Sequence, residues 1–171
     1  MKRVTALALC LSATTAGAEV VADLHRCIDD IDRRVSDMQS QPLDKRILEL
    51  NHYAEDESRC FSQLSALCML NEPSEPCLES MLSTLGGVLQ ATVAGLPDDV
   101  KGDGKMQANY RMWLEKMRNG DGMAPTSTCS LPANYPRQAC AVLATSTAVI
   151  DARSWQRNLD ILAKAQEQAE N

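Results

Sequence analysis

The side chains in this sequence that could bind a metal or react are, first of all, two histidines and seven cysteines. Glu49 and His52 form a Glu-x-x-His pair, which is half of the pattern that di-iron helical bundles take from two helices. The residue three positions before His25 is Ala22, so the second pair is missing. We therefore expect both histidines to be solvated or partly packed side chains, and we predict no metal and no other cofactor.

Calcium and catalytic patterns are incomplete as well. Asn119, Asp121 and Gly122 fall on positions three, five and six of a calcium loop. Met117 and Thr128 then occupy positions one and twelve, where carboxylates bind the ion. The sequence contains neither a Gly-x-Ser-x-Gly elbow nor a phosphate-binding glycine loop. Because no set of reactive residues converges, we predict that the protein is not an enzyme.

Residues 1–18 have the composition of a signal peptide. Lys2 and Arg3 precede the apolar stretch 4–11, and small residues at 16–18 provide a cleavage site before Glu19. The stretch is shorter than the roughly 20 residues that cross a bilayer. The sequence therefore predicts export to the periplasm and a mature single domain of residues 19–171.

An alternative interpretation of this segment is a lipoprotein cleavage box that ends at Cys10. Leu9 is bulky at a position where such sites have a small residue, so anchoring through Cys10 is the minor alternative. No other stretch is long and apolar enough to span a membrane, and we predict a protein without a transmembrane segment.

The mature chain is acidic. It has 15 basic and 23 acidic residues, which give a net charge of −8. This charge repels nucleic acid, and few aromatic residues are present for base stacking. A cationic protein suits the charge better as a partner.

Six cysteines remain after residues 1–18 are removed, an even number in an exported chain. This composition is typical of three disulfides. Close Cys-x-x-Cys pairs, which a zinc site or a covalent haem would need, do not occur.

Apolar residues recur at helical spacing along most of the mature chain. The first run steps by three and four residues without a miss: Val21, Leu24, Ile28, Ile31, Val35 and Met38. Further helical runs follow Pro42, the turn at 71–76 and the loop at 96–104, and a last run begins near Pro136. We predict an all-α, disulfide-stapled bundle of about five helices, with an irregular loop at about 119–135.

The helix order favours one pairing of the cysteines. Cys27 and Cys60 centre on position 43.5, at the first turn, and Cys68 and Cys77 centre on 72.5, in the second turn. Antiparallel neighbours place such residues side by side. Cys60 and Cys68 on one helix are about 12 Å apart, too far for a bridge. The predicted disulfides are Cys27–Cys60, Cys68–Cys77 and Cys129–Cys140.

The irregular loop is the predicted contact surface. A seventeen-residue stretch without regular structure is unusual in a compact domain, and such loops are often functional. Its candidate partner-binding residues are Asp121, Met123, Tyr135 and Arg137. The alternative is a tolerated insertion without a role.

From Cys60 to about Leu159 the chain resembles the LprI-type lysozyme-inhibitor-like family of bacterial exported domains. Cys60, Cys68 and Cys77 resemble the Cys-rich entry of that family, and Cys140 with Thr145 resembles its last helix.

Two other motifs depart from the family pattern. The segment 89–96 keeps the two leucines of a Leu-Asn-x-x-Tyr-x-x-Leu run but has Gln90 and Val93 in place of Asn and Tyr. Gln107 and Trp113 lie farther apart than in the family.

The resemblance implies an α-helical envelope protein that inhibits lysozyme by protein–protein contact. We accordingly expect an exported periplasmic binding protein with lysozyme as its partner. The alternative is a non-catalytic interaction or assembly subunit of the cell envelope. Partner identity, contact face and oligomeric state do not follow from the sequence.

Overall fold

The computed structural model describes residues 12–71, 73–101, 104–120 and 136–170. These residues form five helices and contain no strand. The helices are α1 (Ser12–Met38), α2 (Leu43–Leu70), α3 (Glu75–Ala94), α4 (Gly104–Arg118) and α5 (Arg137–Glu170). The predicted all-α bundle of about five helices is confirmed.

Helices α1 and α2 form an antiparallel hairpin around Pro42. The turn is closed by hydrogen bonds from the Gln39 and Gln41 amides to the carbonyls of Ser36 and Met38, both 3.0 Å long. Proline fits here because its ring is compatible with the start of a helix but not with its interior.

Two of the predicted disulfides are confirmed. Cys27–Cys60 joins α1 to α2, and Cys68–Cys77 joins the end of α2 to the start of α3. Cys140 is also disulfide-bonded, while its predicted partner Cys129 lies outside the described residues.

The core is apolar where α1, α2, α3 and α5 meet. Its most completely buried side chains include Leu24, Phe61, Leu78, Met81, Leu85 and Val149. Helix α3 continues through Gly86 and Gly87, which the propensity scale disfavours within a helix. The buried neighbours Leu85 and Leu89 explain this, since burial outweighs the local cost.

Helix ends differ in how they are closed. Ser74 precedes α3, and its side chain makes no capping hydrogen bond. Gly120 follows α4 with a φ of 82°, and its amide donates to the Met117 carbonyl. This left-handed conformation is the one that favours glycine after a helix.

Helix α4 packs through aromatic side chains. Tyr110 is fully buried, donates a 2.6 Å hydrogen bond to the Pro97 carbonyl and lies against Trp113 and Trp155. Burial raises the pKa of Tyr110. These contacts join α4 to α5 and to the loop that follows α3.

Helix α5 packs mainly against α3 and α2. It is one unbroken helix of 34 residues, about 51 Å long at 1.5 Å per residue, and so exceeds α2 by about 9 Å. Its central turns carry two buried charged side chains, Arg153 and Arg157.

Candidate functional site

Four charged side chains are buried where α2 meets the second half of α5. Glu57 is fully buried, and Arg46, Arg153 and Arg157 are at most 8% exposed. Charged groups are rarely buried to this degree unless they are paired. The pairing therefore determines what this region can do.

Glu57 is the centre of this group. Its Oε1 accepts hydrogen bonds from Arg153 Nε at 2.5 Å and Arg157 Nη1 at 2.7 Å, and its Oε2 accepts from Arg157 Nη2 at 2.9 Å. The two arginines lie one turn apart on α5 and point at the same carboxylate. Both guanidiniums are thereby fixed in place.

Two more carboxylates complete the network from its outer side. Asp32 on α1 accepts from Arg153 Nη2 at 2.6 Å, and Asp160 on α5 accepts from Arg46 Nη2 at 2.7 Å. Unlike Glu57, these carboxylates are largely in solvent, with side chains 55% and 43% exposed. Exposed carboxylates are more easily displaced from their arginines than a buried one.

Tyr53 lies between two guanidinium groups. Its ring centroid is 5.8 Å from Arg34 and 5.9 Å from Arg157, within the range of a cation–π contact. Its hydroxyl donates to the Arg34 carbonyl at 3.4 Å. Burial, followed by the nearby Glu49 carboxylate, raises the pKa of Tyr53, so the ring stays neutral.

A cavity of about 380 Å³, which we call the arginine pocket, is lined by most of these groups, namely Asp32, Arg46, Tyr53, Arg153, Arg157 and Asp160. Its wall comes from α1, α2, α5 and Gln39 in the first turn. The polar lining includes Arg46, Arg153 and Arg157, and the apolar lining consists of Val35, Met38, Leu50 and Ile161, with Tyr53 between them. The volume lies in the range of small-molecule sites, roughly 300–1,000 Å³.

The arginines of the arginine pocket are paired with carboxylates, but one buried N–H group of Arg157, at Nε, has no hydrogen-bond partner among the described residues. Burial opposes the charge of Arg153, yet Asp32 and Glu57 more than offset it and keep its pKa above the ordinary value. A buried donor without a partner is uncommon in native structures and has causes that include local strain and a bound water or ion.

Two smaller cavities lie elsewhere on the bundle. A groove of about 210 Å³ between α2 and α5 is lined largely by apolar residues, among them Phe61, Met69 and Leu143. An open cleft of about 290 Å³ is lined by Trp113 and Trp155 with three polar side chains of α5. Neither cavity contains a buried ion network.

The histidines lie apart from the arginine pocket. Both are exposed, and His52 Nδ1 is 3.8 Å from Glu55 Oε2. No group of three potential ligands that could hold a metal occurs in the described part of the chain.

Three of the four predicted contact residues lie in a part of the chain that the structure does not describe. Asp121, Met123 and Tyr135 lie outside the described residues, and Arg137 is the exposed first residue of α5. Within the described ranges, no helix has the length and apolar composition needed to cross a bilayer.

Sequence reasoning did not select the members of the arginine pocket, although one signal was present. The apolar series of α2 steps from Ala54 to Phe61, and Glu57 occupies the position that a core residue would fill between them. A charged residue on the buried face of a helix calls for partners. Arg153 and Arg157 lie in a similar gap in the apolar series of α5.

Comparisons of the chain with protein-family models, with curated proteins and with solved structures give no match.

Proposed function

We propose that this chain is an exported periplasmic protein that binds a cationic protein partner, does not catalyse a reaction, and inhibits lysozyme by contact. The observation that carries the proposal is the way its charges are distributed. Nearly all described arginines are paired with carboxylates, three of them in the interior and six at the surface, and most of the remaining exposed carboxylates are left without a cationic partner in the described part of the chain.

Nine of the ten arginines from Arg26 to Arg157 have a carboxylate within ion-pair distance. Arg137 is the exception among the described arginines. Exposed carboxylates without an ion pair in the described residues include Asp29, Asp37, Asp44 and Glu79. A surface of this kind attracts cationic proteins and accelerates their association.

The disulfides support export. Cys27–Cys60 and Cys68–Cys77 join three helices, and such bridges persist in oxidising compartments. Together with the signal-peptide pattern of residues 1–18, they favour a location outside the cytoplasm.

The direct test is lysis of a peptidoglycan suspension by lysozyme, with and without the protein purified after expression of the full chain. We expect slower lysis, and binding by calorimetry that weakens between 50 and 500 mM NaCl because the attraction is electrostatic. A triple variant (Asp29→Asn, Asp37→Asn, Asp44→Asn) should bind more slowly. The matched control is Arg26→Gln with Arg33→Gln, which makes the protein more acidic and should not slow binding.

Unchanged lysis at large molar excess, with no measurable binding, would eliminate lysozyme as the partner. A pull-down from envelope extract then tests the alternative of an envelope assembly subunit. One abundant partner other than lysozyme would favour that alternative.

A further inference from the structure

We propose that the arginine pocket binds a small ligand that has one carboxylate on an apolar body. The proposal is independent of lysozyme binding, because it concerns a cavity inside the bundle and not the acidic surface. It depends on the donors of the pocket, its removable carboxylates and its apolar wall.

The donors favour an anion. The guanidiniums of Arg46, Arg153 and Arg157 line the cavity, and Arg46 and Arg153 donate to the half-exposed carboxylates of Asp160 and Asp32. Arginine presents planar pairs of N–H groups that match a carboxylate, and such charge-assisted bonds are stronger than neutral ones. A neutral ligand would form weaker hydrogen bonds to these guanidiniums than a carboxylate would.

The charge balance selects a single anionic group. Three guanidiniums face three carboxylates, those of Glu57, Asp32 and Asp160, and Asp160 also lies 3.6 Å from Lys164 Nζ. Glu57 is fully buried and held by three hydrogen bonds, and we expect it to stay. Asp32 and Asp160 are about half exposed, and either one can turn into water while the single carboxylate of the ligand takes its place.

The rest of the wall favours an apolar body attached to that carboxylate. Four apolar side chains also line the cavity: Val35, Met38, Leu50 and Ile161. Burying such surface against a ligand is favourable at about 25 cal/mol per Å². Tyr53 provides a rigid aromatic face between the two parts of the site.

Two sources could supply this chemistry, a free carboxylic acid and the C-terminus of an apolar peptide. Decanoate and a tetrapeptide that ends in leucine with a free carboxylate represent them as probes. Decanol and the C-terminally amidated peptide are the matched uncharged controls. Binding of each is measured by isothermal titration calorimetry to the full chain with its disulfides formed.

We expect decanoate to bind at least tenfold more tightly than decanol. Arg46→Gln should weaken decanoate binding at least tenfold, because it removes a charge-assisted hydrogen bond to the carboxylate. Asp160→Asn and Asp32→Asn should strengthen it several-fold, because each removes a competing carboxylate. A purely structural role for these aspartates would leave decanoate affinity unchanged or reduce it.

Arg153 and Arg157 are unsuitable as test positions, since removing either leaves Glu57 buried with one partner fewer. Circular dichroism of each variant confirms that it is folded before affinities are compared. The proposal is overturned if neither probe binds at millimolar concentration, if the uncharged controls bind equally well, or if Asp160→Asn leaves the affinity unchanged or weakens it. Tighter binding of the peptide than of decanoate would keep the site and assign a protein C-terminus as its ligand.

Discussion

The two halves of helix α2 hold their neighbours by different chemistry. In the C-terminal half, Cys60 and Cys68 are covalently bonded to α1 and α3, beside an apolar core that contains Phe61. Arg46 in the N-terminal half and Glu57 at the midpoint reach α5 through ion pairs with Asp160 and Arg153, beside the arginine pocket. One helix thus carries two independent kinds of long-range attachment.

The disulfides and the buried ion network respond differently when one of their residues is replaced. A disulfide acts largely by restricting the unfolded chain, so its contribution depends on loop length more than on its surroundings. A buried ion network has a large desolvation cost that only the complete set of partners offsets. We infer that the covalent half contributes stability and that the charged half contributes little net stability but is sensitive to any single change.

The largest effect is expected from Glu57→Gln. The substitution leaves Arg153 and Arg157 buried without their shared carboxylate, and breaking a buried pair in this way typically costs about 3–5 kcal/mol of unfolding free energy. Urea denaturation at pH 7 measures the change. The control is Glu55→Gln, the same substitution two residues away on an exposed side chain, which should change stability little. If both variants unfold at the same urea concentration, the contrast between the two halves fails.

The disulfide variants come next. Replacing both Cys27 and Cys60 by alanine should lower the unfolding free energy by about 3.7 kcal/mol, because the bridge closes a separation of 33 residues. The double alanine variant of Cys68 and Cys77, with a separation of 9, should lose about 2.6 kcal/mol. Both are measured by urea denaturation without reductant. A larger loss for the shorter loop would show that strain or packing, and not chain entropy, dominates.

The smallest effect is expected from Asp99→Asn, which tests the same arginine–carboxylate chemistry at an exposed site. Asp99 pairs with Arg111 at 2.6 Å, and the hydrogen bonds from Arg111 and from the Val100 amide hold its pKa below the ordinary 3.8. Its contribution is therefore present above pH 3.8 and lost as the pH falls through the lower folded-state pKa. We expect a slightly lower melting temperature than wild type at pH 7, and a difference that disappears in strong acid.

Asp29→Asn is the control for that experiment, since Asp29 is exposed and has no ion pair in the described residues. It should leave the melting temperature unchanged at both pH values. An Asp99→Asn loss as large as that of Glu57→Gln would contradict the distinction between buried and exposed pairs.

The parts of the fold that could be predicted follow from short-range sequence patterns. The three- and four-residue steps from Val21 to Met38 predicted α1, because only a helix places those residues on one face. Pro42 predicted the turn, and the turn centres predicted Cys27–Cys60 and Cys68–Cys77. These inferences need only neighbours in sequence and the geometry of a hairpin.

The arginine pocket did not follow from the same reasoning. The irregular loop at 119–135 was the predicted contact surface, whereas the ion network lies within helices. Glu57 interrupts an apolar face and indicated that a partner exists, but 15 basic residues were available in the mature chain. Helix periodicity alone does not choose among them.

The sequence by itself determined the helices, the first hairpin and the disulfides Cys27–Cys60 and Cys68–Cys77, because each depends on periodicity and on short connections. Only the tertiary structure decided that Arg153 meets Glu57, 96 residues away, and that Arg46 meets Asp160, 114 residues away. The reason is physical: the packing of α5 against α2 sets which charges lose their water together, and a one-turn shift between those helices would select different partners.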